Sequence, residues 1–152
     1  MKNILLLFLL VSFCLSASAQ TENSKYDKLL ADSLGGDDYG MKFYILVILK
    51  TGPNNIEDKH ILDSLFKGHM ENIGRLAANG KLIVAGPLGK NDKTYRGIFI
   101  LNVSSFEEAN ALLETDPTIK NKILETEIFK WYGSAALPTY LPNHKKIEKK
   151  LM

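Results

Sequence analysis

Residues 42–50 (KFYILVILK) form an unbroken run rich in β-branched and aromatic side chains, closed by Thr51-Gly52-Pro53, and this predicts a strand. Over residues 55–79 the apolar spacing changes to the 3.6-residue period. Asn55 and Asp58 stand in capping-box-like positions at its start and Gly80 lies just past its end, so a helix is expected here. A short strand over 82–85 runs into Gly86-Pro87, a polar turn occupies 89–93, and a third strand is expected over 95–103. Ser105, with Glu108 as its capping-box partner, opens a second helix whose apolar face carries Phe106, Ala109 and Leu113. Asp116-Pro117 ends or kinks that helix, and residues 125–132 give the last strand.

The resulting order, βαββαβ, is that of the ferredoxin-like α+β sandwich, in which two helices cover one face of a four-stranded antiparallel sheet. The other face is the difficulty. Phe43, Ile45, Val47 and Leu49 point to one side of the first strand, yet Tyr44, Leu46 and Ile48 point to the other; Ile98 and Ile100 repeat this in the third strand. Strands apolar on both sides need a second cover. With no third layer expected from the chain, the reading is a homodimer in which two sheets pack face to face as a dimeric α+β barrel. The N-terminal arm, through Leu29, Leu30 and Leu34, is the alternative cover.

Composition fits one domain: 152 residues, 45% hydrophobic and 24% charged. A net charge of only +2 argues against nucleic acid as a partner. Residues 1–19 change the picture further. Lys2, the apolar run 4–11 and Ala17-Ser18-Ala19 together read as a secretory signal peptide cleaved after Ala19, giving an exported protein, periplasmic or secreted, with no stable membrane insertion after cleavage. Cys14, the only cysteine, leaves with it, which removes disulfides and thiol chemistry. The domain itself spans 41–137. A polar arm (20–40) with five acids and two lysines precedes it, and a basic tail (138–152) with Lys145, Lys146, Lys149 and Lys150 follows, both read as solvated segments.

One residue interrupts the first helix's apolar arc. Ile61, Leu65, Leu76, Leu62, Ile73, Phe66 and Ala77 fall on one side of the helical wheel, and His69 falls in the middle of them. A buried imidazole without hydrogen-bond partners costs about 1–3 kcal/mol, so a partner is required. Asp116, where the chain turns back toward the sheet, is the candidate. A carboxylate on one ring nitrogen fixes the tautomer and makes the other nitrogen more basic, as general acid/base catalysis needs. A core histidine satisfied by a backbone carbonyl remains the competing reading at this point.

The run HMENIGRLAANGKLIVAGPL (69–88), followed by Ser105-Phe106-Glu107-Glu108-Ala109 and Asp116-Pro117, resembles the YciI-like (YCII-related) domain family over about residues 43–134. The resemblance implies a dimeric α+β barrel and a pocket containing a His-Asp dyad, here His69 and Asp116. It also implies cofactor-independent chemistry, since a characterised relative removes chloride from a chlorinated hydroxyhydroquinone without a redox cofactor. Two positions depart from the family pattern: Phe66 replaces an arginine common three residues before the histidine, and Asn121-Lys122 replaces a glycine common after the Asp-Pro run.

Gly86 and Pro87 are expected to shape the pocket wall, with Pro117 as a further ligand-binding position. No metal site is expected, because one inward histidine without a second His or Cys nearby falls short of a zinc ligand set. Phosphate loops and nucleophile elbows are absent from the sequence. Haem is disfavoured by the Leu/Ile stripe around His69. The expectation is therefore a lyase or isomerase with no cofactor, acting on an unknown small cyclic or phenolic molecule through His69 and Asp116. A non-catalytic ligand-binding or structural dimer is the alternative.

Overall fold

The computed structural model describes residues 23–150; the expected signal peptide and its cleavage site, and Leu151 of the tail, lie outside the described residues. A four-stranded antiparallel sheet is formed by β1 (Met41–Thr51), β2 (Leu82–Pro87), β3 (Tyr95–Leu101) and β4 (Leu124–Ser134), in the order β2-β3-β1-β4. Helix α1 (Lys28–Leu34) precedes β1. The long helix α2 (Lys59–Ala78) links β1 to β2, and α3 (Phe106–Leu113) with the one-turn α4 (Pro117–Lys120) links β3 to β4. This is the expected βαββαβ arrangement. Among the described residues no helix is long and apolar enough to cross a membrane.

The core lies between the sheet and its helices. Ile45, Val47 and Leu49 of β1 and Phe99 and Leu101 of β3 are buried against Leu76 of α2 and Ala109 and Leu113 of α3. Fully burying a side chain of this size contributes about 1.5–3 kcal/mol, which makes this layer the main source of stability. On α2 the buried positions are His69, Asn72 and Leu76, while Ile61 at the edge of the expected arc is 50% exposed.

Element ends shift for local reasons. Helix α2 starts at Lys59 rather than at residue 55, because Asp58 is extended and its carboxylate accepts from the amides of His60 (2.8 Å) and Ile61 (3.3 Å). β2 continues through Gly86 to Pro87; it is an edge strand, where a missing N–H removes no necessary ladder bond. Ser105 caps α3 as expected, accepting from the Glu108 amide, but the Glu108 carboxylate turns to Lys81 (2.8 Å) instead of completing the box.

The second sheet face corrects an expectation. Part of its cover comes from the chain's own C-terminal tail: a 3₁₀ turn (Leu137–Tyr140) and helix α5 (Leu141–Ile147) place Leu137 and Leu141 against the buried cluster of Tyr44, Ile83 and Ile100. The Tyr140 hydroxyl donates to the Ile83 carbonyl and secures this layer. Leu137 and Leu141 stand four positions apart, so both fall on one side of the tail despite its lysines. The N-terminal arm does not cover the face, since Leu29 and Leu30 stay 82% and 52% exposed. Beyond the tail, Leu46, Ile48 and Ile98 are only part-buried and Phe129 is exposed.

Lys122 adopts a left-handed backbone (φ 56°) between α4 and β4. Its amide donates to Ile119 and its carbonyl accepts from Asn54, so the conformation is held from both sides. A side chain there costs about 1–2 kcal/mol, part of which glycine returns as lost chain entropy. Lys122→Gly is therefore expected to stabilise the fold by about 0.5–1 kcal/mol, a rise of a few degrees in thermal melting. A lower melting point would contradict this account of the turn.

Candidate active site

His69 projects from the middle of α2 toward the sheet, and Asp116 stands at the start of α4 as its N-cap. Their meeting depends on a close approach of helix and connection. At Gly68 an added Cβ would lie 2.8 Å from Pro117 Cγ, so the glycine lets α2 sit directly against the Asp-Pro turn. A second tie lies one turn further along. Arg75 donates to Asn72 Oδ1 (2.5 Å) and to the Thr115 hydroxyl (2.8 Å), joining α2 to the residue before Asp116.

Asp116 is completely buried and accepts three hydrogen bonds. Oδ1 takes the Thr118 amide (2.9 Å) and the Thr118 hydroxyl (2.6 Å), while Oδ2 lies 2.6 Å from His69 Nδ1. Burial pushes the Asp116 carboxyl up, but the hydrogen bonds from His69 and Thr118, with the charge interaction with His69, outweigh it and hold the group below the usual carboxylate range. An ionised carboxylate is acceptor-only, so Nδ1 carries the proton and donates. Nε2 makes no hydrogen bond among the described residues, and no unpartnered buried polar side-chain atom is found there, so this nitrogen is open to accessible space.

That space is a cavity of about 390 Å³ beside the ring. His69 stacks on Phe99 (centroids 5.9 Å apart, planes 24° apart), and Phe66 meets it edge-on at 6.1 Å. Met70, Gly86 and Pro87 also line the cavity. The gap between β2 and β3 beneath it relies on Gly97, where a Cβ would lie 2.8 Å from the Gly86 carbonyl oxygen. For scale, an apolar cavity of roughly 150 Å³ holds benzene, so this one takes a substituted single ring.

The structure thus brings together His69, Asp116, Gly86 and Pro87. Pro117 is the exception: it packs on Gly68 and is not part of the cavity lining, so it supports the dyad instead of facing a ligand. Thr118 went unread in the sequence, although an N-cap aspartate accepts from the residue two positions on, which was the available signal. Gly68 carried none, since its role depends on where Pro117 comes to rest. Among the described residues no three His, Cys, Asp or Glu side chains gather as a metal site would require.

The family model of the YCII-related domain matches residues 41–132, the span that contains β1 to β3, most of β4, α2 to α4, and both His69 and Asp116. The chain belongs to the YCII-related family. No curated protein matches this YCII-related chain. Among solved structures it is similar to the 5-chloro-2-hydroxyhydroquinone dehydrochlorinase of Burkholderia phenoliruptrix AC1100, in complex with 2,5-dihydroxybenzoquinone. The two share 22% sequence identity with a TM-score of 0.41, over 57% of this chain and 92% of the other.

Proposed function

We propose that this YCII-related protein is a cofactor-independent lyase or isomerase that moves a proton on a small cyclic or phenolic molecule. His69 Nε2 takes and returns the proton, and Asp116 is the positioning residue that holds the ring in one tautomer. The observation that carries the reading is the pairing of a fully buried, triply bonded carboxylate with an imidazole whose second nitrogen opens onto an aromatic-walled cavity. A buried ion pair kept only for stability needs no open nitrogen beside a cavity, and this favours chemistry over a purely structural tie.

The test needs no knowledge of the natural substrate. Small cyclic ketones and phenols are incubated in D₂O with wild type and with His69→Asn, and loss of carbon-bound proton signals is followed by NMR. Wild type is expected to accelerate exchange on at least one ring, and His69→Asn to lose about 10²–10⁴-fold of that acceleration. Equal rates with the two proteins, or no acceleration by wild type, would leave a non-catalytic ligand-binding or structural protein of the same fold.

The reading includes a homodimer formed through the part of the second sheet face beyond the tail, where Leu46, Ile48, Ile98 and Phe129 are incompletely covered. Sedimentation of wild type as a dimer and of Phe129→Lys as a monomer is the expected result; a monomeric wild type would remove the dimer from the account. It also includes export, with residues 1–19 removed after Ala19 and the remainder delivered to the periplasm or beyond.

A further inference from the structure

The ladder between β1 and β3 slips at one place: Leu49 pairs with Gly97 and Lys50 with Tyr95, leaving Arg96 without a partner residue on β1. An extra residue of this kind is a β-bulge, which bends the strand and re-aims a side chain, and such bulges recur beside functional sites. Strict alternation would put Arg96 on the face opposite Gly97 and Phe99, yet it lines the dyad cavity together with them. It also lines a second cavity of about 270 Å³. The two cavities share Phe66, Arg96 and Leu124, so Arg96 stands at their junction.

Charge makes this position unusual. Apart from His69, Arg96 is the only ionisable side chain among the described residues that line either cavity. Its guanidinium has no carboxylate or other hydrogen-bond partner among the described residues, whereas the nearby Lys50 is occupied by Glu127 at 2.7 Å. The second cavity adds neutral polar groups from Thr51, Asn54 and Asn55. Arg96 is exposed and always charged, and an exposed guanidinium with its donors unused among the described residues, at the rim of an apolar, aromatic-lined cavity, is complementary to an anion carried on a ring.

We propose that Arg96 is a substrate-binding residue that anchors the carboxylate of a small aromatic acid at the junction of the two cavities, with the ring lying in the dyad cavity, lined by Phe66 and Phe99, toward His69. This deepens the proposed function and rests on it for the direction of the ring, but the anchoring can fail or hold independently. It narrows the substrate class from any small ring to one bearing an anionic group.

Benzoate and its neutral counterpart benzamide are the probes, titrated at pH 8 into wild type, Arg96→Gln, Arg96→Lys and His69→Asn, with binding followed by calorimetry and by amide shifts. Wild type is expected to bind benzoate about tenfold or more tighter than benzamide, as a charge-assisted hydrogen bond provides. Arg96→Gln should abolish the preference with benzamide affinity unchanged, Arg96→Lys should keep part of it, and His69→Asn should keep all of it. The anchor is overturned if wild type shows no preference or no saturable binding of benzoate, or if Arg96→Gln retains the preference. A preference lost in His69→Asn also overturns it, since the imidazole would then be the anion's partner. If wild type accelerates no proton exchange on any ring while the Arg96-dependent preference is intact, the result counts against the catalytic reading alone.

Discussion

Asp116→Ala is expected to melt roughly 10 °C below wild type at pH 7, corresponding to a loss of about 3 kcal/mol. The substitution removes the acceptor of three buried donors at once: the Thr118 amide, the Thr118 hydroxyl and His69 Nδ1–H. Each group left without a partner costs about 1–3 kcal/mol, and nothing else in the site replaces the carboxylate. The deficit also has a pH signature. Because the folded protein holds Asp116 below its ordinary value, its contribution is fully present above the unfolded carboxylate pKa of about 3.9 and is lost as pH falls through the lower folded value. Melting curves of wild type and Asp116→Ala should therefore converge in acid, with wild type losing the advantage. A constant gap down to pH 2, or no gap at pH 7, would show that Asp116 is not an ionised acceptor in the folded protein.

A second large loss is expected from a residue that lines neither cavity. At Gly52, directly after β1, an added Cβ would lie 2.1 Å from the Lys122 carbonyl oxygen and 2.8 Å from its carbon, with Ile123 backbone at 2.9 Å. All three contacts are main chain, so no side chain can swing aside. The Gly52 amide also donates to the Ile123 carbonyl (2.8 Å), and a shift large enough to admit the methyl breaks that bond. Gly52→Ala should cost about 3 kcal/mol or more, lowering melting by roughly 10 °C. The damage should reach the site, since Ile123 bonds back to Thr118, which holds Asp116. Thermal melting checks the stability, and the His69 ring resonances check the site; a variant that melts within about 2 °C of wild type would refute the close contact.

These two positions show what was and was not legible in the sequence. Period and capping located the four strands and the two main helices of the βαββαβ unit, though not the one-turn α4 after Asp116, and the wheel placed His69 at the centre of α2's buried arc because local periodicity reports burial directly. Asp116 was legible as its partner through the Asp-Pro turn that redirects the chain. Gly52, Gly68 and Gly97 were not, since each answers to backbone or proline atoms far away in sequence. Arg96 was hidden for a related reason: a bulge exists only once two strands are in register, and strict alternation assigns that residue to the wrong face. The 3₁₀ turn and helix α5 were concealed by composition, the contacts of Leu137 and Leu141 lying beside a lysine-rich run that reads as solvated.

The central claim is that His69 presents an unprotonated Nε2 to the cavity while Nδ1–H is bound to Asp116. Long-range ¹H–¹⁵N correlation of the neutral ring reads this directly, because the protonated and unprotonated nitrogens resonate far apart. The expected spectrum is that of the Nδ1–H tautomer in wild type, with the pattern lost or mixed in Asp116→Asn. An Nε2–H tautomer in wild type would contradict the claim, for the nitrogen facing the cavity would then hold a proton and could not act as the base.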